Sequence, residues 1–193
     1  MWKRIAFAIL RLRGWTLVGE VPTVKKAVLI AAPHTSNWDG FWLIVCKVAL
    51  DLKLRFFAKH TLFWWPLGTL LTALGAIPVE KSRNGANVDK LVRLFNESDQ
   101  LFLALAPEGT RKWRPYWRSG FYRIAKAANV PIILTFIDYE SKRAGIGPQI
   151  DSSGSADETM AQIRAFYASC TAAKPENMGP VMLKEQDSGA ARD

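Results

Sequence analysis

Ala27-Val28-Leu29-Ile30-Ala31-Ala32 runs without a break into Pro33-His34-Thr35-Ser36-Asn37-Trp38-Asp39-Gly40. A continuous apolar run of this length reads as a strand covered on both faces, as in a parallel sheet. The polar stretch then falls where that strand ends, which is where sheets of this class bind their ligands. Residues 38–50 are apolar and long enough for a helix, so strand, loop and helix follow in the order of a βα unit.

The alternation extends on both sides. Upstream, residues 15–20 read as a strand that turns at Pro22. Before it, residues 2–13 read as a short amphipathic helix, with Trp2, Ile5, Phe7, Ile9, Leu10 and Leu12 as apolar bulk and Lys3, Arg4, Arg11 and Arg13 as charge. Such a helix either packs on its own domain or lies on an anionic membrane surface, and its broad apolar arc suits both.

Downstream, residues 54–58 form a short strand. The segment 61–79 holds no charged residue and has the length of a membrane-spanning helix. Pro66, Gly68, Gly75 and Pro78 argue instead for a helix through Leu74 and a strand over 76–79. After a polar linker over 82–87, Val88, Leu91, Val92 and Phe95 recur at the spacing of a helix with one buried face. Residues 101–105 are another buried strand, which runs straight into Ala106-Pro107-Glu108-Gly109-Thr110-Arg111. A helix over 120–129, a strand over 130–137, a glycine-rich edge strand over 142–150 and a last helix over 157–170 complete the pattern, the last with Met160, Ile163, Phe166 and Tyr167 inward. The expectation is an α/β fold: a single domain over 15–173 with a largely parallel central sheet flanked by helices. Residues 1–14 are expected as an amphipathic membrane-association helix, and residues 174–193 as an irregular tail.

Among 193 residues, 26 Lys and Arg stand against 17 Asp and Glu, a net charge of +9 that favours phosphorylated metabolites, anionic lipid or nucleic acid as partners. Eight tryptophans and ten phenylalanines suit interfaces and membrane boundaries, where a ring with one wet end is at home. Cys46 and Cys170 are too few for a disulfide framework and lack metal-ligand spacing, which suits a reduced, cytosol-facing protein. The apolar run 5–10 superficially resembles a signal peptide, but Arg11 and Arg13 break it and no small-residue cleavage site follows, so export is not expected.

Three polar segments each follow an expected strand: residues 34–39, Glu80-Lys81, and residues 108–112. In a parallel sheet those ends lie along one edge and can line one pocket. An imidazole titrates near neutral pH, so His34 is the natural base, and Asp39, five positions on, can accept its other ring N–H. A capped helix start explains the same residues, with Ser36, Asn37 or Asp39 bonding free amides. Glu108-Gly109-Thr110-Arg111 offers close backbone approach, a hydroxyl and a guanidinium that grips phosphate bidentately, with Lys81 as a second cation. An ordinary turn with a surface salt bridge fits those residues too. Glu108 beside a phosphate makes sense only if it orients Arg111 or other donors. Arg111, Lys112, Arg114, Arg118, Arg123 and Lys126 are interleaved with Trp113, Tyr116 and Trp117, a mixture that suits nucleic acid and a membrane interface equally.

Four blocks, in this order, resemble those of the glycerolipid acyltransferase family and are 1-acyl-sn-glycerol-3-phosphate acyltransferase-like. His34-Thr35-Ser36-Asn37-Trp38-Asp39 is similar to the family's H-x4-D motif, and Gly75-Ala76-Ile77-Pro78-Val79-Glu80-Lys81 to its second block. Pro107-Glu108-Gly109-Thr110-Arg111 resembles the third and Val130-Pro131-Ile132-Ile133 the fourth. Pro33 stands where the family often has asparagine, Ala106 where it has phenylalanine, and Lys81 where the second block normally ends in arginine. Lysine binds phosphate as a point charge, without the bidentate fork.

The resemblance implies a glycerophosphate-acyltransferase-like fold. It also implies transfer of a fatty acyl group from acyl-CoA or acyl-carrier protein to a hydroxyl of a lysophospholipid-like acceptor, foremost 1-acylglycerol-3-phosphate. In that reading His34 is the general base held by Asp39. Lys81, Glu108, Gly109, Thr110 and Arg111 form the acceptor-phosphate site, and neither metal nor cofactor joins the thioester co-substrate. By composition and position, Trp42, Phe63, Trp64 and Trp65, with Phe41, are the expected contacts of acyl chains or membrane. Anionic membrane lipid, rather than nucleic acid, is the expected partner, and the cytoplasmic face of the inner (plasma) membrane the expected location, peripheral or monotopic. A non-catalytic basic membrane-binding module and a hydrolase using water as acceptor are the competing readings.

Overall fold

A computed structural model describes residues 1–79 and 88–184. Glu80, Lys81 and the linker expected over 82–87 lie outside the described residues, as do residues 185–193. In chain order the elements are α1 (Trp2–Leu12), β1 (Thr16–Val18), β2 (Lys26–Ala32), α2 (Asn37–Ala49), β3 (Leu54–Lys59), α3 (Leu67–Ala73) and β4 (Ala76–Val79). There follow α4 (Val88–Glu97), β5 (Leu101–Leu105), α5 (Gly120–Ala127), β6 (Ile132–Asp138), β7 (Arg143–Ile150) and α6 (Ala156–Tyr167).

The strands form one seven-stranded sheet in the order β1-β7-β6-β2-β5-β3-β4. β2 lies at its centre, parallel to β5 on one side and β6 on the other. Its alternate side chains enter two different cores, which is why it reads as an unbroken apolar run. Val28, Ile30 and Ala32 pack with Leu91 and Phe95 of α4, Phe121 and Ile124 of α5, and Met160 and Ile163 of α6. Ala27 and Leu29 pack on the opposite face, with Leu43 and Ile44 of α2 and Leu67 and Leu71 of α3. α1 joins α2 on that second face, where Ala6, Leu10 and Trp15 meet Trp42, Val45 and Ala49.

This layering fixes where a ligand can bind. The chain leaves β2 through α2 on one face and leaves β5 through α5 on the other, although β2 and β5 are neighbours. The loops after these two strands therefore diverge, and a crevice opens between them at the carboxyl edge.

Two expectations change. The glycine-rich strand is not an edge: β7 is antiparallel to β6 and carries β1 outside it, parallel. Gly145 is required because β1 closes on it, and Gly147 because the Phe166 ring of α6 does. A Cβ at Gly145 would stand 1.9 Å from the Val18 carbonyl oxygen, and one at Gly19 1.9 Å from that of Ile146. The chain beyond residue 173 is irregular in conformation but does not hang free as far as residue 184. The Trp117 amide donates to the Met182 carbonyl (2.7 Å), the Arg164 guanidinium to that of Val181 (3.1 Å), and Leu183 is buried in the core beside Trp117. The uncharged segment 61–79 divides as its prolines suggest, into a 3-10 turn at His60–Leu62, then α3, then β4. Among the described residues no helix is long and apolar enough to cross a membrane.

Candidate active site

The strand end after β2 satisfies both readings of its residues at once. Ser36 is the N-cap of α2 and its hydroxyl accepts from the Trp38 amide (3.2 Å), while Asp39, at the third helical position, accepts from the Ser36 amide through Oδ2 (2.7 Å). With the Ser36 hydroxyl also serving the Asp39 amide, Ser36 and Asp39 form a capping box, which orders the first turn and places a negative charge at the positive end of the helix. The same Oδ2 accepts from the Thr35 amide at 2.6 Å and faces His34 Nδ1 at 3.6 Å. At 3.6 Å the imidazole is within Coulombic reach but beyond a formed hydrogen bond. With Nδ1 turned to the carboxylate, Nε2 is the nitrogen left to act as base.

Asp39 is 7% exposed. Burial works against its charge, but the facing His34 imidazole and the hydrogen bonds from the Tyr139 hydroxyl and the Ser36 and Thr35 amides outweigh it and hold the carboxyl below the usual range. The Tyr139 hydroxyl donates to Oδ1 at 2.7 Å; burial and the adjacent carboxylate push its own ionisation well up, so it stays a donor.

β5 brings the third block alongside, as strand order requires. Glu108 Oε1 accepts the His34 backbone N–H at 2.9 Å, tying the two strand-end loops across the crevice. The residue keeps some surface, yet its Oε2 is shut from solvent without a partner among the described residues. Burial raises its pKa despite the bonds it accepts. Two neighbouring carboxylates are thus driven apart, Asp39 toward the ion and Glu108 toward the acid.

Gly109 follows at φ +62, where any Cβ would stand 2.7 Å from Arg118 Nε. The Arg118 amide donates to the Pro107 carbonyl (2.9 Å), so this guanidinium is seated over the glycine. The Thr110 hydroxyl accepts from the Lys112 amide (3.3 Å), and Arg111 is exposed, paired with no carboxylate among the described residues. Glu108 therefore does not orient Arg111; it supports His34. Lys81 falls outside the described residues.

Trp42 requires a correction. It is 5% exposed and stacked on Trp15 (centroids 4.6 Å, 39° between planes), because the buried arc of α2 faces α1; it offers no surface to lipid. Trp38 and Phe41 take the outer side of that helix. Phe63 is half-buried against the second core, whereas Trp64 and Trp65 are 59% and 83% exposed beyond the end of β3. Tyr139, Arg118 and Thr35 are the site residues that sequence reasoning missed. A polar residue just past strand β6 was the available signal for Tyr139, but only strand order shows that β6 adjoins β2.

Burial raises the Cys46 thiol to about 12 and the Cys170 thiol to about 11, so neither is a nucleophile at neutral pH. Among the described residues no three His, Cys, Asp or Glu side chains gather as a metal cage.

A crystal structure of the 1-acyl-sn-glycerophosphate (LPA) acyltransferase PlsC from Thermotoga maritima resembles this chain with a TM-score of 0.61 and 17% identity, covering 86% of this chain and 74% of that one. At that identity the likeness shows the fold. No curated protein sequence matches the chain. The Acyltransferase family model matches residues 16–137, from β1 through most of β6 and across the whole crevice in which His34, Asp39 and Glu108 meet. Because that match takes in well over half of the sequence, the chain belongs to the Acyltransferase family.

Proposed function

We propose that this acyltransferase moves a fatty acyl group from acyl-CoA or acyl-carrier protein to the free hydroxyl of a lysophospholipid-like acceptor, 1-acylglycerol-3-phosphate foremost. The observation that carries this reading is His34, in the crevice between β2 and β5, with its Nδ1 facing an ionised Asp39 and its backbone held by Glu108. His34 Nε2 takes the proton of the acceptor hydroxyl as its oxygen attacks the thioester carbonyl. The tetrahedral adduct collapses to the ester, and the departing thiolate leaves as the thiol, restoring the neutral imidazole. The thioester is already an activated acyl donor, so the scheme assigns no role to a metal or further cofactor. The exposed Arg111, with Arg118 over Gly109, supplies cations for the acceptor phosphate.

We further propose a peripheral seat on anionic lipid at the cytoplasmic face of the inner membrane. Trp2, Ile5, Phe7 and Leu12 of α1, Trp38 and Phe41 of α2, Leu70 of α3, and Trp64 and Trp65 are all exposed, whereas α4, α5 and α6 expose no large apolar side chain among the described residues. Lys3, Arg4, Arg11 and Arg13 accompany the apolar residues of α1. Both features suit an interfacial helix.

Lipid mass spectrometry after mixing the purified protein with acyl thioesters and a lysolipid panel tests the reaction. His34→Ala should cut turnover by about 10²–10⁴-fold with folding intact, and undiminished turnover would sink the base assignment. Arg111→Lys should raise the acceptor KM and leave kcat close to that of the parent; an unchanged KM removes Arg111 from the phosphate site.

A further inference from the structure

The Asp39 carboxylate has two differently used oxygens. Oδ2 takes the Thr35 and Ser36 amides and faces His34, so the helix start fixes it. Among the described residues Oδ1 has one donor, the Tyr139 hydroxyl at 2.7 Å, one residue past β6. Without that donor only the two amides on Oδ2 restrain the carboxylate, whose last torsion is broad and soft, and its plane tilts more freely relative to the imidazole. A tyrosine oxygen lies on the ring axis, so ring flips leave it in place; its position is set by whatever holds the ring.

Here the ring is held by tryptophan. Trp15 meets Tyr139 edge-on at 5.2 Å and 87°, and stacks on Trp42 at 4.6 Å. Trp42 is on α2, three positions beyond Asp39. Trp15 follows α1, and its amide donates to the Leu10 carbonyl at 2.8 Å. One aromatic cluster thus holds both ends of the Tyr139–Asp39 bond. It also explains why Trp42 points inward.

We propose that Tyr139 is a positioning residue that locks the Asp39 carboxylate in the orientation His34 needs, its hydroxyl held in register by Trp15 and Trp42. This rests on reading His34 as the base. In the reaction the lock matters most when the imidazole is protonated, because Oδ2 must then lie opposite Nδ1–H. Its loss therefore falls on the chemical step and not on binding.

The test compares Tyr139→Phe with His34→Ala and the parent, each assayed well below its own unfolding midpoint. Tyr139→Phe keeps the ring contacts and removes only the hydroxyl. It should lower kcat roughly tenfold or more, with the KM for thioester and acceptor within about twofold of the parent. If His34→Ala is inactive but Tyr139→Phe turns over at the parent's kcat, the lock is wrong and the base stands. If His34→Ala retains turnover, the base reading itself fails. A Tyr139→Phe effect confined to KM, or one that appears only as the protein begins to unfold, also overturns the proposal. Trp15→Leu, which loosens the ring and keeps the hydroxyl, should lower kcat in the same direction by a smaller factor; parity with the parent would show that the tryptophans do not hold it.

Discussion

Asp39 and Glu108 sit in one crevice and answer acid in opposite ways. Asp39 has its carboxyl held below the usual range, so the stability it contributes is full at neutral pH and is lost as pH falls through that depressed value. The melting-temperature gap between parent and Asp39→Asn should accordingly be widest near pH 7 and close in acid. Glu108 has the reverse sign. Its raised value means that the folded state favours the proton, and stability is lost as pH rises from the ordinary glutamate range through the raised one. Glu108→Gln keeps an acceptor for the His34 amide and removes the buried charge, so its melting temperature should gain on the parent as pH climbs, with most of the turnover retained. Glu108→Ala frees the loop and should cost far more activity than Gln; equal losses would mean that the carboxylate takes part in chemistry. Of these residues, His34 and Asp39 were legible from spacing, since a chain that turns from loop into helix between them folds the carboxylate back toward the ring. The duty of Glu108 was not, because it depends on β5 lying beside β2. The inward turn of Trp42 depends on which arc of α2 meets α1, and a helix apolar on several sides does not announce that.

At the scale of elements the alternation of apolar runs was enough to place the strands and helices to within a few residues. Sheet order was not readable, and the assignment of the glycine-rich strand as an edge suffered for it. A glycine-rich strand looks like an edge until its neighbours fill the space where side chains would stand, as the Val18 carbonyl does at Gly145 and the Phe166 ring at Gly147. Gly145→Ala should therefore detach β1, and with it loosen the entry of α1, which hydrogen exchange of residues 16–18 would report as lost protection. The C-terminal segment misled through composition, since proline, glycine and mixed charge say nothing about a single well-placed leucine. Leu183 is 3% exposed beside Trp117. Leu183→Ala should cost about 2–3 kcal/mol, at the low end for a buried leucine because the segment can settle into the gap. In a chain of this size that is a fall of roughly 4–12 °C in melting temperature, and a drop under a degree would show that the segment is not anchored there.

For the molecule as a whole, the two faces of the sheet differ in what they show to solvent. α1, with Lys3, Arg4 and Arg11 on it, and α2 and α3 expose large apolar side chains, whereas α4, α5 and α6 keep theirs inside and Trp113 is exposed in the loop before α5. In the membrane seat proposed above, the net charge of +9 supplies the long-range attraction to anionic lipid and the exposed aromatic groups the short-range hold. Flotation with phosphatidylglycerol-containing vesicles should therefore weaken with added salt, while Trp64→Ala/Trp65→Ala should lower binding with the salt dependence retained. Equal binding to neutral vesicles, or no loss in the double variant, would place the contact elsewhere. The aromatic lock spans the chain in time as well as in space. Tyr139 is 100 residues beyond its partner Asp39, which at about 5–20 residues added per second separates the two on the ribosome by roughly 5–20 s. The Lys174 amide, which donates to the Thr35 hydroxyl in the same loop, emerges later still. A nascent chain thus carries its histidine for seconds before the tyrosine that steadies the histidine's partner has been made.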